Sequence, residues 1–325
     1  MMRTEPYTSM IIGLGQIGMG YDLTLENEEH IYTHARAFSS HPDFDLVCGV
    51  DPSSERREEF LKYFGCPAYA TIEDALVIHS IDVAVVAVPT FQHATILRKV
   101  LELSDPKAFI CEKPLAGSIE DAREMVEMCS DANVDLYVNY NRCSSPGAIE
   151  VKKMINSGEL APPFRGVIWY SKGFIHNGSH FFNLAEYWLG EFKNAQIIDV
   201  GRDFDGVGSE PEVKVKFAKG EFIFVPAWEE HFSHYTVELL SSSGRLYWGE
   251  EGLHLQKPMG HSTLKSYKTL SPIQKFITTE MDRYQWHVTD QLSRALSGKD
   301  SFICSGEMAL NTFSAMTKII EMKSK

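Results

Sequence analysis

The 325-residue sequence has no Cys-x-x-Cys pair, no His-Glu-x-x-His and no apolar run approaching the roughly 18 residues of a membrane helix. Each absence removes a class of protein. Six cysteines (48, 66, 111, 129, 143 and 304) lack regular spacing, and several lie in apolar runs where a thiol behaves as a small hydrophobe, so no disulfide framework is expected and a reducing cytosol is. The opening MMRTEPYTSMIIGLG is too weakly apolar for a signal peptide. Positive charge is also scarce. With 31 Lys and Arg against 44 Asp and Glu, the formal charge of −13 argues against nucleic acid or an anionic membrane as a partner. Repeats, heptads and low-complexity tracts are missing too.

What is present, 44% hydrophobic and 23% charged residues, is ordinary for a globular chain long enough for two cores. A short apolar run from Met10 closes on Gly13-Leu14-Gly15-Gln16-Ile17-Gly18, a G-x-G-x-x-G after a strand, where glycines let backbone approach a pyrophosphate. The alternative is a plain glycine-rich turn. Phe44 to Val50 reads as a second strand ending at Asp51, the acidic position that bonds adenosine ribose hydroxyls and repels a 2′-phosphate. NAD is therefore expected, with Arg56 and Arg57 keeping NADP open. Gly18 and Asp51 lie 33 positions apart, whereas about 20 is usual. The surplus is placed at Gly20 to Thr33, polar and acidic, as a surface loop or alternatively a substrate lid.

Strand and helix patterns then alternate. Ser54 to Phe64 is a charged helix, Thr71-x-x-Asp74 and Ser118-x-x-Asp121 are capping boxes, and Ile81 to Val88 is a β-branched run buried on both faces. Ala108 to Ala116, AFICEKPLA, is an apolar strand ending in Glu112, Lys113 and Pro114. A lysine at the carboxyl end of a buried strand sits where open α/β sheets place ligands, and burial lowers its pKa toward the range useful for proton transfer. After Gly158, strand-like runs at 165–171, 196–200, 212–217, 221–225, 235–240 and 246–248 follow with short links, predicting antiparallel pairing; 181–189 has helical spacing instead.

The series GLGQIG, GVD (49–51), VPTFQH (88–93), EKPLA (112–116) and NYNR (139–142), followed by His176-Asn177-Gly178-Ser179-His180-Phe181-Phe182-Asn183, resembles the Gfo/Idh/MocA oxidoreductases. That resemblance implies an α/β Rossmann domain with a doubly wound parallel sheet, then an α+β domain with a large, mostly antiparallel open sheet. The expected boundaries are 1–125 for nucleotide binding, 126–304 for substrate binding and oligomerisation, and 305–325 for a closing helix. It further implies cofactor contacts at Gly13, Gly15, Gln16, Ile17, Gly18, Asp51, Pro89, Thr90, His93, Glu112 and Asn141. Substrate contacts fall at Lys113, Arg142, His176, His180 and Asn183, and Pro114 carries a cis peptide. Catalysis falls to Lys113 and His180, one polarising the reacting oxygen and the other exchanging its proton, with their roles interchangeable.

Two departures stand out. Where the family commonly has aspartates four before and three after the histidine, this chain has His176 and Asn183, so substrate identity is not transferable. The histidine pairs 176/180 and 231/234 suggest metal only weakly, because Gly178 interrupts the helix a zinc pair needs. The expectation is a cytosolic NAD-dependent dehydrogenase or reductase of a sugar, sugar derivative or sugar nucleotide, a homodimer or homotetramer through the second-domain sheet, with no metal. An NAD-dependent glycosidase and a non-catalytic NAD sensor are its rivals.

Overall fold

A computed structural model describes residues 5–25, 29–204, 206 and 208–322. Residues 26–28 of the expected insertion, the first four residues and the last three of the expected closing helix lie outside the described residues. The chain divides into two compact units, Met1–Ser144 with Met281–Leu310, and Ser145–Glu280 with Asn311–Lys325.

The first unit is a six-stranded parallel sheet. Its strands are β1 (Tyr7–Ile12), β2 (Phe44–Val50), β3 (Ala68–Tyr69), β4 (Val83–Val86), β5 (Ala108–Cys111) and β6 (Asp135–Val138), in the order β3-β2-β1-β4-β5-β6. Every residue of β4 and β5 is buried, as a strand covered on both faces requires. The connecting helices are α1 (His34–Ser40), α2 (Ser54–Phe64), α3 (Ile72–Ile78), α4 (His93–Leu103) and α5 (Ile119–Asp131), and α3 and α5 start at the caps that the sequence marks. Thr71 Oγ1 accepts from the Asp74 N–H and Ser118 Oγ from the Asp121 N–H.

The expected boundary at 125/126 falls inside α5 and needs correction. Helix α5 and strand β6 complete the parallel sheet, so the first unit runs on to Ser144. The chain also returns to it. Helix α8 (Tyr284–Leu296) buries Val288 and Leu292 in the core formed by Ile11, Phe38, Phe60, Val85 and Ile110, and Val138 N–H donates to Cys304 O. An apolar stripe on α8 finds its partner far back in the chain.

The second unit carries an eight-stranded sheet, β16-β13-β12-β11-β7-β10-β9-β8. Its long strands are β7 (Phe164–Tyr170), β8 (Phe192–Phe204), β9 (Gly208–Phe217), β10 (Gly220–Pro226), β11 (Thr236–Ser241), β12 (Gly244–Gly249) and β13 (Gly252–Gln256). A two-stranded ribbon, β14 (Pro258–Gly260) with β15 (Lys268–Leu270), precedes the edge strand β16 (Lys275–Ile277). Pairing is antiparallel with one correction: β7 and β10 are parallel neighbours, because β8 and β9 intervene in sequence and take the far edge. Burial alternates along β7, β10 and β12, so one face is core and the other open.

On the core face lie α6 (Pro146–Ser157) and α7 (Ser179–Leu189). Phe182 of α7 packs against Phe174, Phe217 and Phe224, and Trp188 meets Trp248 while donating to Ala148 O at 3.0 Å. Helix α9 (Gly306–Glu321) closes the described chain.

Candidate functional site

In the first unit the strand order reverses at β1, between β2 and β4. Ligands of doubly wound sheets bind outside the carboxyl ends of the strands at this point. A crevice of about 640 Å³ opens there, lined by Gly13, Gly15, Asp51, Arg56, Val88 and Pro89 among others. Gly13 has φ +95°, and a Cβ there would stand 2.5 Å from Ala87 O; one on Gly18 would stand 2.0 Å from Gly13 O. These two glycines allow tight packing. Gly15 differs: a Cβ there would meet nothing within 4 Å. It walls the crevice with bare backbone, the shape a pyrophosphate requires.

Asp51 is buried and holds this loop. Its Oδ2 accepts from the Leu14 N–H at 2.9 Å, its Oδ1 from the Ser53 N–H at 2.9 Å, and Arg56 lies 3.3 Å from Oδ2. A carboxylate has lone pairs to spare after these bonds, so Asp51 retains capacity for ribose hydroxyls. The residues therefore fit a dinucleotide.

Gly13, Gly15, Asp51 and Pro89 are brought together; Gln16, Ile17, Gly18, Thr90, His93, Glu112 and Asn141 are not among the crevice's lining residues. Two of these make hydrogen bonds within the protein. Both His93 ring nitrogens face carbonyl oxygens, Nδ1 to Leu115 and Nε2 to Val88 at 3.0 Å each, so His93 ties the loop after β4 to the loop after β5. Glu112 is buried, with Oε1 bonded by His34 and Asn139. Thr71, Gln92, Ile96 and Lys99 also line the crevice, a role the motifs do not mark. Gln92, the N-cap of α4, and Ile96 and Lys99 within it recur at helical spacing.

The loop after Gly18 is not a long helix. A single π turn, Gln16–Gly20, leads into the insertion, and α1 begins only at His34. Asp22, fully buried, closes the insertion's neck by accepting from the Tyr32 and Thr33 N–H groups and from Thr33 Oγ1 at 2.6, 2.9 and 2.6 Å. An acidic residue read as loop surface is in fact its clasp.

Lys113 follows β5, the neighbour of β4, and the Lys113–Pro114 peptide is cis. Burial lowers the Lys113 ammonium pKa, Glu112 opposes that shift and Arg142 reinforces it. Burial has a different consequence for the cysteines: the thiols of Cys48 and Cys66 are pushed up to about 12 and about 11, leaving them inert.

In the second unit His180 is buried in the first turn of α7. The preceding π turn, Gly173–Gly178, is entered through Lys172 at φ 60° and Gly173 at φ 87°. Glu210 of β9, fully buried, accepts from the Gly173 N–H at 3.0 Å and from Arg202 Nε at 2.8 Å, anchoring that turn. His176 is exposed. Asn183 is buried, and its amide donates to Thr312 Oγ1 at 3.1 Å, which donates to Glu186.

Burial pushes the Glu186 carboxyl up to about 7, against a hydrogen bond from Thr312 that lowers it. The folded state thus holds this proton more tightly than the unfolded chain. Glu186 therefore supports stability fully below the ordinary glutamate range, and its support is lost as pH rises through about 7. Glu186→Gln should remove a pH-dependent loss on the order of 2–3 kcal/mol between about pH 4 and about pH 8, measured by denaturant unfolding. An unchanged pH profile would refute the raised pKa.

Comparison with known proteins agrees with this geometry. Residues 9–140 match the model of an oxidoreductase family with an NAD-binding Rossmann fold. Inositol 2-dehydrogenase of Rhizobium meliloti (strain 1021) is 28% identical over 196 residues, covering 56% of this chain and 54% of that protein. The scyllo-inositol 2-dehydrogenase (NAD(+)) of Bacillus subtilis (strain 168) is 27% identical over 205 residues, 55% of this chain and 53% of that protein. The chain thus spans about half the length of the curated relatives it matches. The WlbA dehydrogenase of Bordetella pertussis, solved with NADH and UDP-GlcNAcA, superposes with a TM-score of 0.73 at 15% identity, covering 98% of this chain and 96% of that one.

Proposed function

We propose, from the premise that this chain belongs to the Gfo/Idh/MocA oxidoreductase family, that it moves a hydride between NAD(H) and a secondary alcohol or ketone of a sugar, sugar derivative or sugar nucleotide. The carrying observation is Lys113: a half-buried lysine at the carboxyl end of β5, in the same parallel sheet whose β1, β2 and β4 ends wall the dinucleotide crevice.

A dinucleotide held by Gly13, Gly15 and Asp51 would supply the hydride acceptor or donor through its nicotinamide. Lys113 donates a hydrogen bond to the reacting oxygen and stabilises the negative charge that grows there. His180 takes the hydroxyl proton in oxidation and returns it in reduction. Asp51 favours NAD over NADP, since its carboxylate repels a 2′-phosphate. Asn183 has its amide tied to Thr312, so sugar recognition rests more on His176 and Arg142. The protein works in the cytosol and self-associates through the open sheet face, where Trp169, Leu240 and Phe276 are exposed.

The test is a panel of polyols, sugars and sugar nucleotides incubated with NAD or NADP, reading reduced nicotinamide and product mass. Reduced nicotinamide with a keto product supports the reading. Glycosidic cleavage without net reduction would replace it with a hydrolase, and cofactor binding without chemistry would replace it with a sensor.

A further inference from the structure

We propose that His34, Asn139 and Gln285 form a positioning network that keeps Glu112 ionised next to Lys113, so that the lysine stays a cation in a buried site. The proposal rests on the reading of Lys113 as the polarising group. The four side chains arrive from four places in the first unit: the start of α1, the end of β5, the residue after β6 and the start of α8. His34 and Gln285 have no exposure, and Asn139 and Glu112 have 2% and 9%. Water is thus kept from substituting for a lost partner.

The bonds close a ring, and with Glu112 ionised the ring admits one set of directions. Asn139 Nδ2 stands 2.6 Å from Glu112 Oε1 and 3.0 Å from Gln285 Oε1, so its two amide hydrogens serve two acceptors. Gln285 Nε2 then faces His34 Nδ1 at 2.9 Å and donates to it. The imidazole proton is therefore on Nε2, which donates to Glu112 Oε1 at 2.8 Å. Reversing Asn139 would set its amide oxygen against the carboxylate, and reversing Gln285 would set its amide nitrogen against the Asn139 nitrogen. The ring is a device for delivering two N–H donors to one buried carboxylate oxygen.

Electrostatics follow the geometry. Burial by itself raises the Glu112 carboxyl, but the hydrogen bonds from His34 and Asn139 and the nearby Lys113 together bring it below the usual range. Tyr284, packed near Glu112 from α8, and Cys111, on β5, are both raised, first by burial and then by the Glu112 charge, so both stay neutral. Lys113 then feels Glu112 holding its proton on, against burial and Arg142.

The network predicts the ionisation of Lys113 without reference to turnover. Cofactor-free full-length protein is treated with acetic anhydride across a pH series, and Lys113 acetylation is read by peptide mass spectrometry in wild type, Glu112→Gln and His34→Leu. Glutamine keeps the acceptor for His34 and Asn139 but removes the charge. Glu112→Gln should remain folded by circular dichroism, and its Lys113 should react about 10-fold faster at a given pH below its midpoint, the midpoint having moved down by about one unit. His34→Leu should move it the same way by less. A folded Glu112→Gln with an unmoved midpoint, an unfolded Glu112→Gln, or a folded His34→Leu that leaves Lys113 unchanged would each overturn the proposal. A null sugar panel with a shifted midpoint would count against the functional reading alone.

Discussion

Lys113→Met should lower kcat by about 10³-fold and leave the Kd for NAD within about threefold of wild type. Methionine keeps most of the length and apolar packing of the lysine stem while deleting the donor and the charge. The binding half of the prediction follows from the structure: Lys113 is not among the residues lining the crevice. A structural lysine would give a different pattern, with stability and NAD affinity falling together. Steady-state turnover beside calorimetric NAD titration separates the two, and turnover within tenfold of wild type would remove Lys113 from the chemistry.

Gly15→Val should cut NAD affinity at least about 100-fold with no fall in thermal stability. Gly15 has φ −78° and ψ −159°, extended backbone that a β-branched residue adopts readily, and its Cβ would point into space free of protein within 4 Å. The new side chain would occupy the place a pyrophosphate needs. Gly18→Ala is the contrasting variant, since its Cβ would collide with Gly13 O and destabilise the loop itself. If Gly15→Val bound NAD normally, the cofactor would have to lie elsewhere.

Local chemistry made much of this fold legible. Strand β2 and helix α2 have the limits their patterns give, because Ser53 caps one end and Gly65, at φ 72°, stops the other. Helix α6 carries comparable signals, Ser145 and Pro146 at its start and Gly158 at its end. What pattern could not supply were partners distant in sequence. Nothing near residue 285 announces that α8 belongs to the first unit, since its apolar stripe suits any core. The parallel β7–β10 pair depends on where β8 and β9 go.

The candidate site divides the same way. Gly13, Gly15, Asp51 and Pro89 meet in the crevice, and each stands at a strand end that the motif marks. The ring around Glu112 joins residues up to 251 positions apart, so sequence spacing holds no trace of it, whereas the Asp22 clasp spans only 11 positions and depends on the insertion folding back on itself. His93 was legible as a residue near the site but not as the tie between two loops, because that role depends on the carbonyls of Val88 and Leu115.

The central claim is direct hydride transfer between a sugar carbon and nicotinamide. It is tested by giving the protein NAD and the reactive member of the sugar panel deuterated at the carbinol carbon, then weighing the reduced cofactor. The account predicts one deuterium in the nicotinamide ring and none released to water, with labelled cofactor forming about 10³-fold more slowly when Lys113 is methionine. Sugar consumed while the cofactor stays unlabelled and oxidised would contradict it.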